Sequence, residues 1–435
     1  MPRLVPLLIC LLGLLLFPAP ASAAARPPWG TGESQGEDLV ISLVTFSPGD
    51  DVASWWGHGS LVVEDTRLGR QRLYNYGMFS FDSTMLGRYA MGRLEFWVDE
   101  ASVAGTYRHY EVLNRDVRVQ ILNLTPEQRL LIARLLADNV LPENREYLYH
   151  HYDDNCVTRL RDMIDRAIGG QLRQADQAPA RMTLREHTRR YTAVSPPMSV
   201  LLDFLMNDEI DRPITRWQEA FLPDELERQV AALQVQRPEG QPVPLEEKRW
   251  IYFQSNRPAV PEQPPQYGPW MLGMGLAVGA SAVGLMAWAR RGSRWPRVLL
   301  GLEHVVLGLV FGLPGTALFV MWLVTNHTVT YRNENLFLAN PLTLLLVPLG
   351  LPLLWGSTKA PARLRAVWGA LAALGVLGLV LKVLPPFNQD NWRLIALLLP
   401  ISVGFAGAFF LERAWARAKP GPPGEQSLPS SPKTP

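Results

Sequence analysis

Five apolar stretches between residues 270 and 412 constrain this chain more than any other feature. Leu, Val, Ala, Gly, Pro and Trp fill about 270–289, 298–324, 341–356, 364–384 and 394–412, and most charges fall in the breaks between them. A helix needs about 20 apolar residues to cross a bilayer, and helices satisfy their own backbone hydrogen bonds there. The sequence therefore predicts an all-α membrane domain of about five transmembrane helices over 270–412. The third stretch is the shortest and carries Pro348 and Pro352. Glu303 and His304, near one end of the second, read as snorkelling anchors at the membrane interface.

The breaks differ in charge. "RRGSRWPR" (290–297) holds four arginines, "STKAPARLR" (357–365) three basic residues, and Arg413, Arg417 and Lys419 follow the last stretch. The alternate loops, 325–335 and 385–391, hold one arginine between them. Lys and Arg favour the cytoplasmic side, so everything before residue 270 is expected on the outer face. The N-terminus agrees. Arg3, the apolar run Val5 to Phe17 and Ala21-Ser22-Ala23 have the layout of a secretory signal peptide over 1–23.

After a lead-in at 24–37, residues 38–256 read as a soluble periplasmic domain, with a core at 38–170 and a helical extension at 181–236. A Pro-rich linker (257–269) and a cytoplasmic tail (413–435) complete the layout. Strands are predicted at 38–46, 59–65, 72–79, 94–98 and 107–115, and amphipathic helices at 125–141 and 155–169. Strands first and helices later give an α+β domain. A formal net charge of +2 offers no reason to expect nucleic acid.

The chain has two cysteines, Cys10 and Cys156, and the first lies within the signal. Cleavage leaves one thiol in an oxidising compartment, which excludes an internal disulfide. Cys156 falls at the start of a predicted helix, where free N–H groups and the dipole lower a thiol's pKa, with Arg159 one turn on to assist. Asp153 and Asp154 oppose this unless they point outward as caps. A nucleophilic thiol needs a base, and "SWWGHGSLVVED" (54–65) offers His58 between two glycines, beside Trp55 and Trp56. His109, His150, His151 and His187 compete with it. On the next strand Asn75 could orient the imidazole; alternation sends it to the opposite face from Tyr74 and Tyr76, and the pattern leaves open which set faces the site. The outer loop carrying His327, Asn333, Asn335 and Asn340 reads equally as a headgroup or acceptor contact and as a capped turn.

The set "SPGDD…WWGHGSLVVED…LYNYGMFSF", followed by "YHHYDDNCVTRLRDMID", resembles the periplasmic domain of the Lnb-type bacterial lipoprotein N-acyltransferases over residues 38–230. The resemblance extends into the membrane part through "NHTVTYRNENLFLANPL" (326–342). It implies a permuted NlpC/P60-like, papain-like fold, with Cys156 as nucleophile and His58 as base; for the third position a polar residue on the following strand fits several choices, and Asn75 is the candidate. The implied reaction moves an acyl chain from a membrane phospholipid, through a Cys156 thioester, to the α-amino group of a diacylglyceryl-cysteine lipoprotein, with no cofactor. The implied location is the bacterial inner membrane, crossed several times. A thiol amidase or endopeptidase on cell-wall peptides, and a non-catalytic membrane assembly factor, are the other readings of the same residues.

Overall fold

The computed structural model describes residues 26–80, 85–237, 240–355 and 361–417. The predicted signal peptide with Cys10, and the tail beyond 417, lie outside them. The chain divides into two compact units. The first contains 26–80, 95–178 and 215–257; the second contains 85–94, 179–214 and 258–417. The helical extension anticipated over 181–236 is thus shared between them.

The first unit is built on a seven-stranded antiparallel sheet. Its strands are β1 (Leu39–Phe46), β2 (His58–Asp65), β3 (Arg70–Met78), β4 (Glu95–Ala101), β5 (Val117–Leu122), β6 (Glu146–Leu148) and β7 (Glu246–Phe253), in the order β6-β4-β3-β2-β1-β5-β7. The interior strand β1, between β2 and β5, is buried on both faces, so "LVISLVTF" is apolar almost without alternation. Leu39, Ile41 and Leu43 join Leu61, Val63, Tyr74 and Tyr76 in the core of one face, covered by the helices Pro126–Asn139 and Cys156–Ala167. Val44 and Phe46 join Val62, Leu73, Tyr107 and Tyr110 on the other, covered by the helix Val103–Val112. These three helices are named α1 (Val103–Val112), α2 (Pro126–Asn139) and α3 (Cys156–Ala167).

The stretch 107–115, expected as a strand, lies mostly in α1. Ser102 caps the helix by accepting from the Gly105 N–H, and Val103, Tyr107 and Tyr110 recur at helical spacing on the buried side. Its aromatic, β-branched composition imitates a strand, but its burial has a period near four. The sheet continues instead through "VRVQIL" at 117–122. The two predicted helices form as expected: Thr125 and Gln128 make a capping box at α2, and Val157, Leu160, Ile164, Ala167 and Ile168 bury one face of α3.

In the second unit four helices are long and apolar enough to cross a membrane: Gly268–Ala289, Trp295–Val324, Ala362–Leu381 and Trp392–Trp415. The third predicted span, 341–356, corresponds to part of a pair, Thr328–Phe337 and Pro341–Leu354, bent by 61° at a short break. Asn340 explains the break. Its side chain accepts from the Leu342 N–H and starts a new helix there, with Pro341 at the first position. Glu303 and His304 depart from the snorkelling expectation. His304 is fully buried and meets Phe405 edge-on at 5.2 Å, while Glu303 accepts from the Ser281 hydroxyl at 2.7 Å.

Residues 179–214 belong to this unit through a buried ionic network. Asp203 receives Arg189 at 2.9 Å, Arg185 at 3.4 Å and Arg393 at 3.6 Å; Arg189 also holds Asp390 at 2.5 Å. Asn207 donates to the carbonyls of Thr328 and Tyr331, and Asn333 donates to those of Phe204 and Leu205. Asp211 also pairs with Arg185, so three carboxylates, with Asp203 at their centre, balance three buried guanidinium groups. Removing one member of such a cluster leaves unpaired buried charge and typically costs ~3–5 kcal/mol. Asp203→Ala is expected to lower the unfolding temperature of the full chain and to expose Arg185 and Arg189 to trypsin, read by limited proteolysis in detergent.

Candidate active site

The start of α3 is fixed by Asn155. Its Oδ1 accepts the N–H groups of Val157 (2.8 Å) and Thr158 (2.9 Å), and its Nδ2 donates to the carbonyls of His151 (2.8 Å) and Phe221 (3.0 Å). Thr158 returns a bond to the Asn155 N–H, closing a capping box. Cys156 is then the first helical residue, half-buried, and it is the one free cysteine among the described residues. Its sulfur faces the backbone N–H groups of Gly59, Val157 and Cys156 itself. Helix and strand approach this closely because Gly59 has no side chain: a Cβ there would lie 3.1 Å from Leu160 Cδ1. Gly77, beside a register shift in β3, faces the Cβ of Cys156 and is required by its φ of +84°, which other residues rarely adopt.

His58 opens β2 opposite Phe46 and stacks with it, ring centroids 6.0 Å apart. Its Nε2 is hydrogen-bonded to Asn75 Oδ1, which also accepts from the Ser60 hydroxyl at 3.3 Å. An amide oxygen only accepts, so Nε2 carries the ring proton and Nδ1 is the basic nitrogen. Asn75 is the strand residue that shares a face with His58. Tyr74 and Tyr76 point into the opposite core, where Tyr74 receives the indole of Trp29 at 2.8 Å and Tyr76 the amide of Asn139 at 2.7 Å. The alternative that the strand pattern left open resolves in favour of Asn75 as the partner of His58.

The acidic pair before the thiol turns away from it. Asp154 binds Arg159 through two bonds, 2.5 and 2.7 Å, and Asp153 pairs with His150 at 3.0 Å. Neither caps the helix. Arg159 also lies 4.4 Å above the Tyr147 ring, so it does not serve the thiol as the spacing suggested. The positive charge felt at Cys156 comes from Arg115, which was not singled out in the sequence. The only sequence signal for it is "NRD" after an aromatic stretch, which has no pattern of its own.

The electrostatics also depart from expectation. Burial pushes the Cys156 thiol up to about 11, outweighing the three N–H groups and Arg115 that favour the thiolate. Burial likewise pulls His58 down to about 4, partly offset by the bond to Asn75 and reinforced by Arg115. Between these values both groups are neutral. The site at rest holds a thiol and an imidazole base, not a thiolate–imidazolium pair.

Of the competing histidines, His151 is half-buried, edge-on to Trp56 at 4.6 Å, and desolvation depresses it to about 4 as well. His109 lies on α1, and His187 is buried in the second unit beside Arg190. The outer-loop asparagines have structural work: Asn333 caps 334–337 and Asn340 caps 341–344, while Asn335 donates to the Phe204 carbonyl. The capped-turn reading of that loop is the one these bonds support.

A neutral resting pair has a direct readout. Alkylation of Cys156 by iodoacetamide in the absence of substrate is expected to keep rising through pH 9, because the thiolate fraction grows until about pH 11. A plateau reached below pH 7 would mean an ion pair instead.

Residues 25–190 match the family model described as the Lnb N-terminal periplasmic domain. Neither a curated protein nor a solved structure matches the chain. The matched stretch contains β1 to β6, α1 to α3 and the residues Cys156, His58 and Asn75. Over that stretch the chain carries an Lnb N-terminal periplasmic domain.

Proposed function

We propose that this protein is a cysteine-dependent lipoprotein N-acyltransferase of the inner membrane. The observation that carries this reading is a thiol at a capped helix start beside a hydrogen-bonded His58–Asn75 pair, in a domain of the Lnb type. The helices able to cross a bilayer support it, because both substrates of such an enzyme are lipid-anchored. A histidine strand that precedes the cysteine helix in sequence fits a permuted NlpC/P60-like arrangement.

In the first half-reaction Cys156 attacks an acyl ester of a phospholipid while His58 Nδ1 takes the thiol proton. The oxyanion forms beside the N–H groups at the start of α3. Collapse breaks the ester C–O bond, His58 returns the proton to the departing glycerol oxygen, and a lysophospholipid leaves. In the second half the free α-amino group of a diacylglyceryl-cysteine attacks the thioester, passes a proton through His58 and leaves as the amide, with the thiol regenerated. Asn75 holds the imidazole in the tautomer that keeps Nδ1 basic. Each transfer begins from neutral groups, so general-base action by His58 and not a preformed thiolate governs the rate.

Expression in a bacterial host lacking its own N-acyltransferase tests this reading. Mass spectrometry of a lipoprotein's N-terminal peptide should gain one N-acyl group with the unmodified chain and none with Cys156→Ala. His58→Ala should slow acylation by about 10²–10⁴-fold. An unmodified peptide in cells that make the full chain would rule the proposal out.

Because His58 acts as a neutral base, acyl-enzyme formation should fall as pH drops through its pKa of about 4 and hold level through neutrality. A pH series of single-turnover acylation, read by intact mass, checks this.

A further inference from the structure

Arg115 is a buried cation that the acyl-transfer steps above do not use. It sits between α1 and β5, 5 % exposed, after Asn114, which takes a left-handed turn at φ +52°. Its Nε donates to the Ser47 carbonyl at 2.6 Å, and a Cβ at Gly49 would press within 3.2 Å of its Cδ. The guanidinium carbon stands 4.6 Å over the Tyr110 ring. The other face of that ring is closed by Phe46 at 3.7 Å, and the His58 ring lies parallel to Tyr110, centroids 6.3 Å apart. The cation is thus clamped one aromatic ring away from His58. Its Nη2, buried, has no hydrogen-bond partner among the described residues.

Leaving a buried guanidinium N–H unpaired is costly, and the nearby carboxylates are already engaged. Asp51, the closest in charge, accepts from the Ser54 N–H at 3.1 Å and its hydroxyl at 2.8 Å. Asp50 is held by both Nη atoms of Arg257, and Asp116 accepts from the Ser255 N–H and from Arg118. Arg115 also makes no bond to the thiol, whose donors are backbone N–H groups alone. A donor held close to the sulfur, yet not on it, suits an anion that sits a few bonds from the attacked carbonyl. In a glycerophospholipid that anion is the phosphodiester. The tetrahedral oxyanion is a poorer candidate, since it forms on the carbon bonded to sulfur, where the N–H groups of α3 converge.

We propose that Arg115, through the free Nη2 edge of its guanidinium, binds the phosphodiester of the acyl donor and so selects phospholipids over neutral acylglycerols. The inference rests on the acyl-transfer reading for the identity of the lipid, and Arg115 is a specificity-determining residue in it.

The test uses the full chain in neutral detergent with two short donors, dihexanoylphosphatidylglycerol and uncharged dihexanoylglycerol. Acyl-Cys156 formation is followed by intact mass. Calorimetry measures binding of the phospholipid, and separately of inorganic phosphate, to Cys156→Ala. A charge-assisted bond of this kind supports an effect on the order of 10- to 100-fold. Arg115→Gln should raise KM for the phospholipid by that factor, weaken its binding to the Cys156→Ala background equally, and cost the dihexanoylglycerol reaction far less, since there only the weak field of Arg115 at Cys156 and His58 is lost. Arg115→Lys, which keeps the charge but not the fork, should fall between. Equal losses with both donors, or no loss with the phospholipid, would overturn the assignment. Tight binding of inorganic phosphate would also overturn it, by making this a free-anion site. Should the unmodified chain form no acyl-Cys156 from either donor, acyl transfer itself fails, and the calorimetric arm still decides whether Arg115 binds a phosphodiester.

Discussion

Four hydrogen bonds of one amide fix the start of the helix that carries Cys156. Asn155 fills both lone pairs of its oxygen with helix N–H groups and spends both amide hydrogens on the carbonyls of His151 and Phe221. The first pair sets where α3 begins and hence which residue occupies its first turn. The second pair fixes the preceding loop and a segment 66 residues further along the chain. Cys156 therefore inherits its position from its neighbour. An aspartate here would supply the oxygens but not the two donated bonds, which is why the nearby Asp153 and Asp154 could not exchange roles with it.

The neutral state of the site follows from the same compactness. Gly59 and Gly77 let helix, strand and thiol close together, and the closer they come the less water remains to solvate a charge. Helix N–H groups and Arg115 favour a thiolate, but they are set against desolvation and lose. A neutral thiol is less exposed to oxidation than a thiolate, which matters for an unpaired cysteine outside the cytoplasm. In the acyl-transfer reading proposed above, the nucleophile would be generated only when a carbonyl is present to receive it.

Much of this could be read in the sequence because the signals were periodic or terminal. The apolar stretches, the amphipathic face of α3 and the capping box of α2 carry their own spacing, and His58 between glycines announces a close approach. Other features had no local signature. The helix α1 was hidden because Tyr107 and Tyr110 favour strands by composition, while the Ser102 cap precedes the stretch that was read. The roles of Asp154 and Arg159 were misjudged because sequence gives distance along the helix but not which partner a side chain faces. Arg115 was invisible for a stronger reason: its clamp is assembled from residues 46, 47, 49 and 110, which meet only in three dimensions.

The division into units bears on how this chain can be taken apart. The polypeptide passes from one unit to the other after residues 80, 94, 178, 214 and 257, so the Pro-rich linker is only the last of five crossings. A protease that nicks that linker does not release a soluble enzyme, because residues 179–214 remain bound by Asp203, Asn207 and their partners to the helical unit. Nor can the two halves be exchanged as cassettes between relatives by joining them at residue 257. A splice there would part Arg393 from Asp203 and Arg189 from Asp390, so residues 179–214 depend on the helical segment they are folded with.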